Sequence, residues 1–179
     1  MSEKLLVVDD ERMILELTSM VLTSRGFDVS VVDNALDAYE MIEREQPALV
    51  LLDYMMPKVN GLDALKVIRE RFPETYVIMF TGKGSEEVAV ELMKNGASDY
   101  VLKPFSNAKL VERIENVLRI RSIELHNKAL IQEQERLLDE IESWNRTLEE
   151  RVEQKTVELE MAHHEVLLTE KLAALGHLS

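Results

Sequence analysis

The sequence predicts a parallel, doubly wound α/β sheet followed by one long helix. Up to about residue 105, short apolar runs alternate with amphipathic segments of helical period, a pattern typical of strands alternating with helices. Four of these runs end in acidic, hydroxyl or basic residues, as parallel strands do at a ligand-binding edge. From Phe105 onward the chain has no proline, a single glycine and many helix-forming residues, which indicates the long helix.

The alternation defines five strands and five helices. We expect strands near residues 4–9, 28–32, 48–53, 76–81 and 99–103, and helices near 11–25, 35–45, 62–71, 85–95 and from 106 onward. Gly26 and Gly96 follow the first and fourth helices, where a left-handed residue is common. Ser85 and Ser106 are suited to cap the fourth and fifth helices. Successive parallel strands joined in this way imply right-handed crossovers.

Composition and charge exclude several classes of protein. The net charge is −13, with −6 over residues 1–122 and −7 over residues 123–179, so we expect no nucleic-acid partner. The absence of cysteine excludes disulfides and thiolate metal sites. No apolar run approaches the ~20 residues that span a bilayer, and the start lacks the form of a signal peptide. We therefore expect a soluble, cytoplasmic protein with no membrane partner.

The residues at the strand ends suggest a chemistry. Asp9 and Asp10 follow the first strand, Asp53 ends the third, Thr81 ends the fourth and Lys103 follows the fifth. Ligands of open α/β sheets bind outside the carboxyl ends of the strands, so these side chains should meet at one edge. Three carboxylates repel one another unless a cation neutralises them, and hard oxygen ligands favour Mg²⁺. A carboxylate beside Mg²⁺, with a lysine and a threonine nearby, is equipped to accept a phosphoryl group.

Four motifs occur in a characteristic order and spacing. They are residues 7–11, residues 53–57 with Gly61, residues 81–82 and residues 103–105. With these motifs, residues 3–122 resemble a response regulator receiver domain. The resemblance implies a flavodoxin-like sheet with strand order 2-1-3-4-5, and a phosphoacceptor receiver domain over residues 1–122. It also implies a cognate histidine kinase or a phosphotransfer protein as the phosphodonor.

The resemblance further implies a phosphoacceptor and a magnesium site. Asp53 is the expected nucleophile, forming an aspartyl phosphate. Asp10, Asp53 and the carbonyl of Met55 are the expected direct ligands of Mg²⁺. Asp9 is expected to act through a bound water, since Mg²⁺ keeps several waters in its shell.

Three other residues match catalytic or switch positions of that family. Lys103 is expected to neutralise phosphoryl charge, and Thr81 to hydrogen-bond a phosphoryl oxygen. Tyr100 matches the family's switch aromatic, although tyrosine is also common in ordinary strands. The bond between Lys103 and Pro104 is expected to be cis, as in the family.

The long helix needs a partner. A helix from 106 to 179 would extend on the order of 110 Å and could not bury its apolar side against a domain of this size. Two sets of residues recur at alternating steps of three and four. The first is Leu130, Leu137, Ile141, Trp144 and Leu148, with Gln134 as a polar core position; the second is Leu159, Ala162, Val166 and Ala173, with Lys155 and Thr169 as polar core positions. The two sets are offset at residues 148–152 by a stutter. We expect residues 123–170 to form a parallel, dimeric coiled coil in a homodimer; the alternative is a solvated helix that folds only locally.

The last residues carry a second resemblance. Residues 148–152 and 170–179 resemble the signalling helix that enters a sensor histidine kinase, which makes residues 171–179 the start of a dimerisation and phosphotransfer helix. In that family the phosphoacceptor histidine comes several residues later. We therefore expect a fragment of a longer histidine kinase, with no ATP-binding motif in the sequence given.

The sequence thus favours an input module of a phosphorelay. Phosphorylation of Asp53 would change the receiver, and the coiled coil would transmit that change to a kinase core. One alternative attaches another dimeric output, such as a nucleotide cyclase, and only residues 170–179 oppose it. A second alternative is a scaffold or adaptor dimer that is not phosphorylated; the acidic residues with Thr81 and Lys103 oppose it.

Overall fold

The computed structural model describes residues 2–82 and 86–177 and divides into two compact units, Met1–Glu124 and Leu125–Ser179. Strands alternate with helices as the sequence predicts. The elements are β1 (Lys4–Val8), α1 (Arg12–Ser24), β2 (Asp28–Val32), α2 (Ala35–Glu45), β3 (Leu49–Asp53), α3 (Gly61–Arg71), β4 (Tyr76–Thr81), α4 (Glu86–Lys94), β5 (Asp99–Leu102) and α5 (Asn107–Gly176). The predicted cap Ser85 lies outside the described residues.

The five strands form one parallel sheet in the order β2-β1-β3-β4-β5, which confirms the predicted topology. The three inner strands are almost wholly buried because helices cover both faces of the sheet. The two edge strands are less buried than the inner ones: no residue of β2 is buried, and in β5 only Val101 is. Among the described residues, β2 pairs with β1 alone and β5 pairs with β4 alone, so each has one edge without a neighbouring strand.

Two apolar clusters form the core of the first unit, one for each face of the sheet. Alternate residues of a strand enter different clusters, as the two-residue period of a strand requires: Leu6 and Val8 belong to one, Leu5 and Val7 to the other. The helix α5 contributes to the second cluster through four buried residues: Leu110, Val111, Ile114 and Val117.

The predicted cap Ser106 and the predicted left-handed glycines Gly26 and Gly96 are confirmed. The Ser106 hydroxyl accepts a hydrogen bond from the backbone amide of Lys109 at 3.2 Å, which satisfies an N–H group that the helix itself leaves without a partner. Gly26 and Gly96 have φ angles of +89° and +94°, the left-handed conformation expected after α1 and α4.

The second unit consists of α5 residues that carry exposed apolar side chains. Trp144 is 62% exposed, and Leu130, Ile141 and Leu148 are each about half exposed. These residues are available to a partner, and they follow the period that the sequence shows. Among the described residues, no helix combines the length and apolar character that a membrane crossing requires.

The start of α3 packs directly on the backbone that follows β3. The Gly61 amide donates a hydrogen bond to the Tyr54 carbonyl at 2.9 Å. A Cβ atom on Gly61 would lie 2.1 Å from the Asp53 carbonyl oxygen and 2.7 Å from the Tyr54 Cα atom. Both neighbours are backbone atoms at the end of a buried strand, so they cannot move aside at small cost.

We predict that Gly61→Ala lowers the free energy of unfolding of the receiver unit by about 1–3 kcal/mol, because the methyl group overpacks this contact. Scanning calorimetry of the full chain measures the change. Gly82→Ala is the matched control, since a Cβ atom there meets nothing within 4 Å and should change stability by less than about 0.5 kcal/mol. Equal effects of the two substitutions would contradict the packing argument.

Candidate functional site

The five predicted polar residues meet at one edge of the sheet. Asp9 and Asp10 directly follow β1, Asp53 is the last residue of β3, Thr81 is the last residue of β4, and Lys103 directly follows β5. All four strands are parallel and adjacent in the sheet, so their carboxyl ends lie side by side. The topology, rather than any local motif, brings together residues that are up to 94 positions apart.

Three carboxylates form the acidic cluster (Asp9, Asp10 and Asp53). One oxygen of each lies within 4.8 Å of the others. The Asp9 side chain is fully buried and that of Asp53 is 5% exposed, whereas Asp10 is exposed. Two of the three negative charges have therefore lost most of their solvation, and they need compensation from the protein or from a cation.

The Lys103 ammonium group supplies part of that compensation. Its Nζ atom lies 2.7 Å from Asp9 Oδ2 and 2.9 Å from Asp53 Oδ1, while its side chain is only 18% exposed. A third carboxylate, Glu11, lies 3.8 Å from the same nitrogen and is mostly solvated. The two short contacts involve buried partners and dominate the electrostatics.

Backbone amides orient the other oxygens of the two buried carboxylates. The Glu11 amide donates to Asp9 Oδ1 at 2.9 Å, and the Met55 amide donates to Asp53 Oδ2 at 3.1 Å. Each carboxylate is thus held between a backbone N–H group and Lys103. The sequence analysis assigned no role to Glu11. Its position directly after the two aspartates and just before α1 is the signal that could have identified it.

The surroundings shift the pKa values of Asp53 and Lys103. Burial raises the pKa of Asp53 above its usual value, and the nearby Asp9 carboxylate adds to the rise, although Lys103 opposes it. Burial alone would lower the pKa of Lys103, but its hydrogen bonds to Asp9 and Asp53 outweigh burial and raise it. The lysine therefore stays charged, and the Asp53 carboxyl binds a proton more readily than a solvated one.

The other predicted residues lie on β4 and β5 and in the loop that follows β5. Thr81 is buried at the end of β4, and its carbonyl accepts a hydrogen bond from the Lys103 amide at 2.8 Å. Tyr100 is half-buried and packs against the first core cluster. The peptide bond between Lys103 and Pro104 is cis, as expected.

Two features of the edge bear on ligands. The acidic cluster offers hard oxygen donors from both buried and exposed positions, a set that fits Mg²⁺ and leaves room for water in its shell. Beside Lys103, a largely apolar groove of about 420 Å³ is lined by residues of α1, the β5–α5 loop and α5, among them Ile14, Leu17 and Phe105. The edge can therefore hold a hard cation, and a partner surface can approach next to it.

Several known proteins are similar to this chain. SrrA, a transcriptional regulatory protein of Staphylococcus aureus, is 39% identical over 119 residues, which are 66% of this chain and 49% of SrrA. The chain thus spans about half the length of the curated relatives it matches. A CheY-like receiver domain protein from Methanospirillum hungatei has 31% identity and a TM-score of 0.66, covering 69% of this chain and 99% of the other.

A further solved structure is described as the BeF3-activated receiver domain of DrrB. It has 33% identity and a TM-score of 0.61, and it covers 66% of this chain and 98% of the other. Residues 5–115 match the response regulator receiver domain family. The chain therefore belongs to this family, the receiver domains of two-component phosphorelay signalling.

Proposed function

We propose that this receiver accepts a phosphoryl group on Asp53 in a Mg²⁺-dependent reaction. The observation that carries the proposal is the buried Asp53 carboxylate, which lies 2.9 Å from the Lys103 ammonium group and within 4.8 Å of two further carboxylates. An Asp53 oxygen attacks the phosphorus of the donor kinase's phosphohistidine and forms the aspartyl phosphate. The bond from phosphorus to the histidine nitrogen breaks, and that nitrogen keeps the electron pair.

The other residues of the edge have supporting roles in this proposal. Lys103 neutralises negative charge on the phosphoryl oxygens, and Thr81 donates a hydrogen bond to one of them. Tyr100 is the proposed switch residue, whose half-buried ring can change position when the Thr81 loop moves. The backbone amide of Met55 holds the Asp53 side chain in place.

Asp10, Asp53 and the carbonyl of Met55 are the proposed Mg²⁺ ligands, and Asp9 acts through a bound water. Exposed Asp10 is accessible to a hydrated ion. Asp9 and Asp53 both contact Lys103 and a backbone amide, so the assignment of Asp9 to a bound water follows the family's pattern. When bound, Mg²⁺ supplies positive charge to phosphoryl oxygens and reduces the repulsion within the acidic cluster. Response regulators receive their phosphoryl groups from histidine kinases, and we propose that the donor kinase or phosphotransfer protein docks at the groove beside Lys103.

The exposed apolar residues of α5 support a parallel homodimer over residues 123–170. We define the heptad stripe as Leu130, Leu137, Ile141, Trp144, Leu148, Leu159, Ala162, Val166 and Ala173. With Gln134, Lys155 and Thr169 as polar core positions, the stripe keeps a three-four alternation on both sides of residues 148–152. Two successive steps of four, Trp144 to Leu148 and Leu148 to Val152, interrupt it there and unwind a left-handed coil locally. A second copy of the same helix is the simplest partner, because both chains then bury one continuous stripe.

The output beyond the coiled coil has two candidates. The similarity of residues 148–152 and 170–179 to a kinase signalling helix favours a histidine kinase core, with residues 171–179 opening its phosphotransfer helix. The match to SrrA favours a transcriptional output, but it extends over 119 residues only. The charge of −7 over residues 123–179 opposes DNA binding by this segment, so we favour the kinase.

The proposed phosphoacceptor is tested with beryllofluoride, a phosphoryl mimic. We predict that the full chain with Mg²⁺ gives a bound ¹⁹F NMR signal, and that Asp53→Asn abolishes it because the amide is neither charged nor nucleophilic. Asp28→Asn is the matched control, since Asp28 is an exposed carboxylate at the start of β2, and it should bind as the parent does. A full-strength signal from Asp53→Asn would rule out the assignment.

The proposed dimer is tested by placing a charge on or off the heptad stripe. Leu159 belongs to the stripe and Val157, two residues earlier, does not; both are exposed. We predict that Leu159→Glu weakens self-association by about tenfold or more, because the dimer would bury a carboxylate without a partner. Val157→Glu should leave association unchanged. Sedimentation equilibrium measures both, and a parent chain that is monomeric at micromolar concentration would contradict the homodimer.

A further inference from the structure

On the side of α5 that faces the core, buried apolar residues are followed by charged ones near the end of the receiver unit. Val117 is 2% exposed and is the last buried residue of this helix among those described. The next positions on the same face, one and two turns later, are Arg121 and Glu124. The apolar contacts that hold α5 to the receiver are therefore followed by charged side chains.

Both charged residues contact the segment that leads into β4. The Tyr76 hydroxyl, at the start of β4, donates a hydrogen bond to the Glu124 carboxylate, 48 positions further along the chain. Arg121 Nε donates to the Glu74 carbonyl at 3.5 Å. These contacts extend the attachment of α5 by two turns beyond its last buried residue.

The partner segment is itself firmly held. Arg69 of α3 donates to the Pro73 and Thr75 carbonyls at 3.3 and 3.0 Å. The Tyr76 ring packs against the second core cluster. Burial and the Glu124 contact raise the pKa of Tyr76 to about 12, so its hydroxyl keeps its proton and remains a donor at neutral pH. Tyr76 and the residues before it are therefore held in place, and α5 can be attached to them.

The strand β4 joins this point to the candidate site. Thr81 ends β4 beside the acidic cluster and Tyr76 begins it, and the four residues between them are fully buried: Val77, Ile78, Met79 and Phe80. A close-packed strand moves as a body and transmits displacement from one end to the other.

We propose that Tyr76, Arg121 and Glu124 form a latch that secures the last two turns of α5 in the receiver unit to the start of β4, and that the latch passes a change at the Thr81 end of β4 into α5. The first half is independent of phosphorylation. The second half rests on the proposed function of Asp53. Separate measurements therefore address the two halves.

Amide hydrogen exchange of the full chain without phosphodonor tests the latch itself. Tyr76→Phe should speed exchange of residues 118–124 by about three- to tenfold, since it removes a hydrogen bond to a carboxylate from a locally opening segment. Glu124→Gln should speed it by a smaller factor, because an amide oxygen still accepts from the Tyr76 hydroxyl but carries no charge. Amides of β1 and β3 should keep their protection. The double variant should match Tyr76→Phe, because without the Tyr76 hydroxyl the side chain at position 124 has no donor to accept from, and its further change has no effect on this contact.

Two controls remove a comparable group elsewhere. Tyr39→Phe takes a hydroxyl from α2, and Glu115→Gln takes a charge from an exposed position of α5; neither should alter exchange of residues 118–124. Unchanged exchange in Tyr76→Phe and Glu124→Gln, or additive effects in the double variant, would overturn the latch.

Beryllofluoride with Mg²⁺ tests the transmission. In the parent, amides near Asp53 should gain protection, and exchange of residues 118–130 should change by about twofold or more. Tyr76→Phe should still gain protection near Asp53 but should show no change in residues 118–130. An equal α5 response in Tyr76→Phe would overturn the transmission and leave the role of Asp53 intact. No response near Asp53 in the parent would instead refute the proposed function, and with it the transmission. The latch itself is tested separately by the exchange measured without beryllofluoride.

Discussion

Two buried carboxylates, Asp9 and Asp53, share one ammonium group, that of Lys103, at 2.7 and 2.9 Å. Neither carboxylate has enough solvent to stabilise its charge, and a single lysine balances only one of the two. The exposed carboxylate of Asp10 adds a further negative charge nearby. The edge therefore retains a net negative charge. This imbalance favours binding of a cation, and with it of the phosphoryl group that we propose the cation accompanies.

The fold is what creates this imbalance. Parallel strands in the order β2-β1-β3-β4-β5 bring residues from the ends of four strands to one edge, and apolar packing on both faces holds those strands still. The same packing makes β4 a stiff connection between Thr81 and Tyr76. Site and helix attachment thus lie at opposite ends of one buried strand, which gives a physical reason for a receiver to influence the helix that follows it.

Much of this could be predicted from the sequence. Apolar runs such as residues 49–52 are long enough and apolar enough to identify buried strands, and the polar residue after each run marks the site. The sequence did not predict the partial exposure of β5, because burial of an edge strand depends on strand order and not on its own residues. Nor did it predict the contact between Tyr76 and Glu124, since a hydrogen bond across 48 positions leaves no periodic signal. The ends of helices were predictable where glycine or serine determines them, as at Gly96 and Ser106.

The central claim is that Lys103 holds two buried carboxylates together until a divalent cation joins them. Thermal unfolding of Lys103→Ala, with chelator and then with Mg²⁺, tests it most directly, and Lys66→Ala on exposed α3 surface is the control. With chelator, Lys103→Ala should lose about 2–3 kcal/mol of stability because the carboxylates lose their partner, and Mg²⁺ should stabilise it more than it stabilises the parent. Equal stability of the two variants, with an equal response to Mg²⁺, would contradict the account.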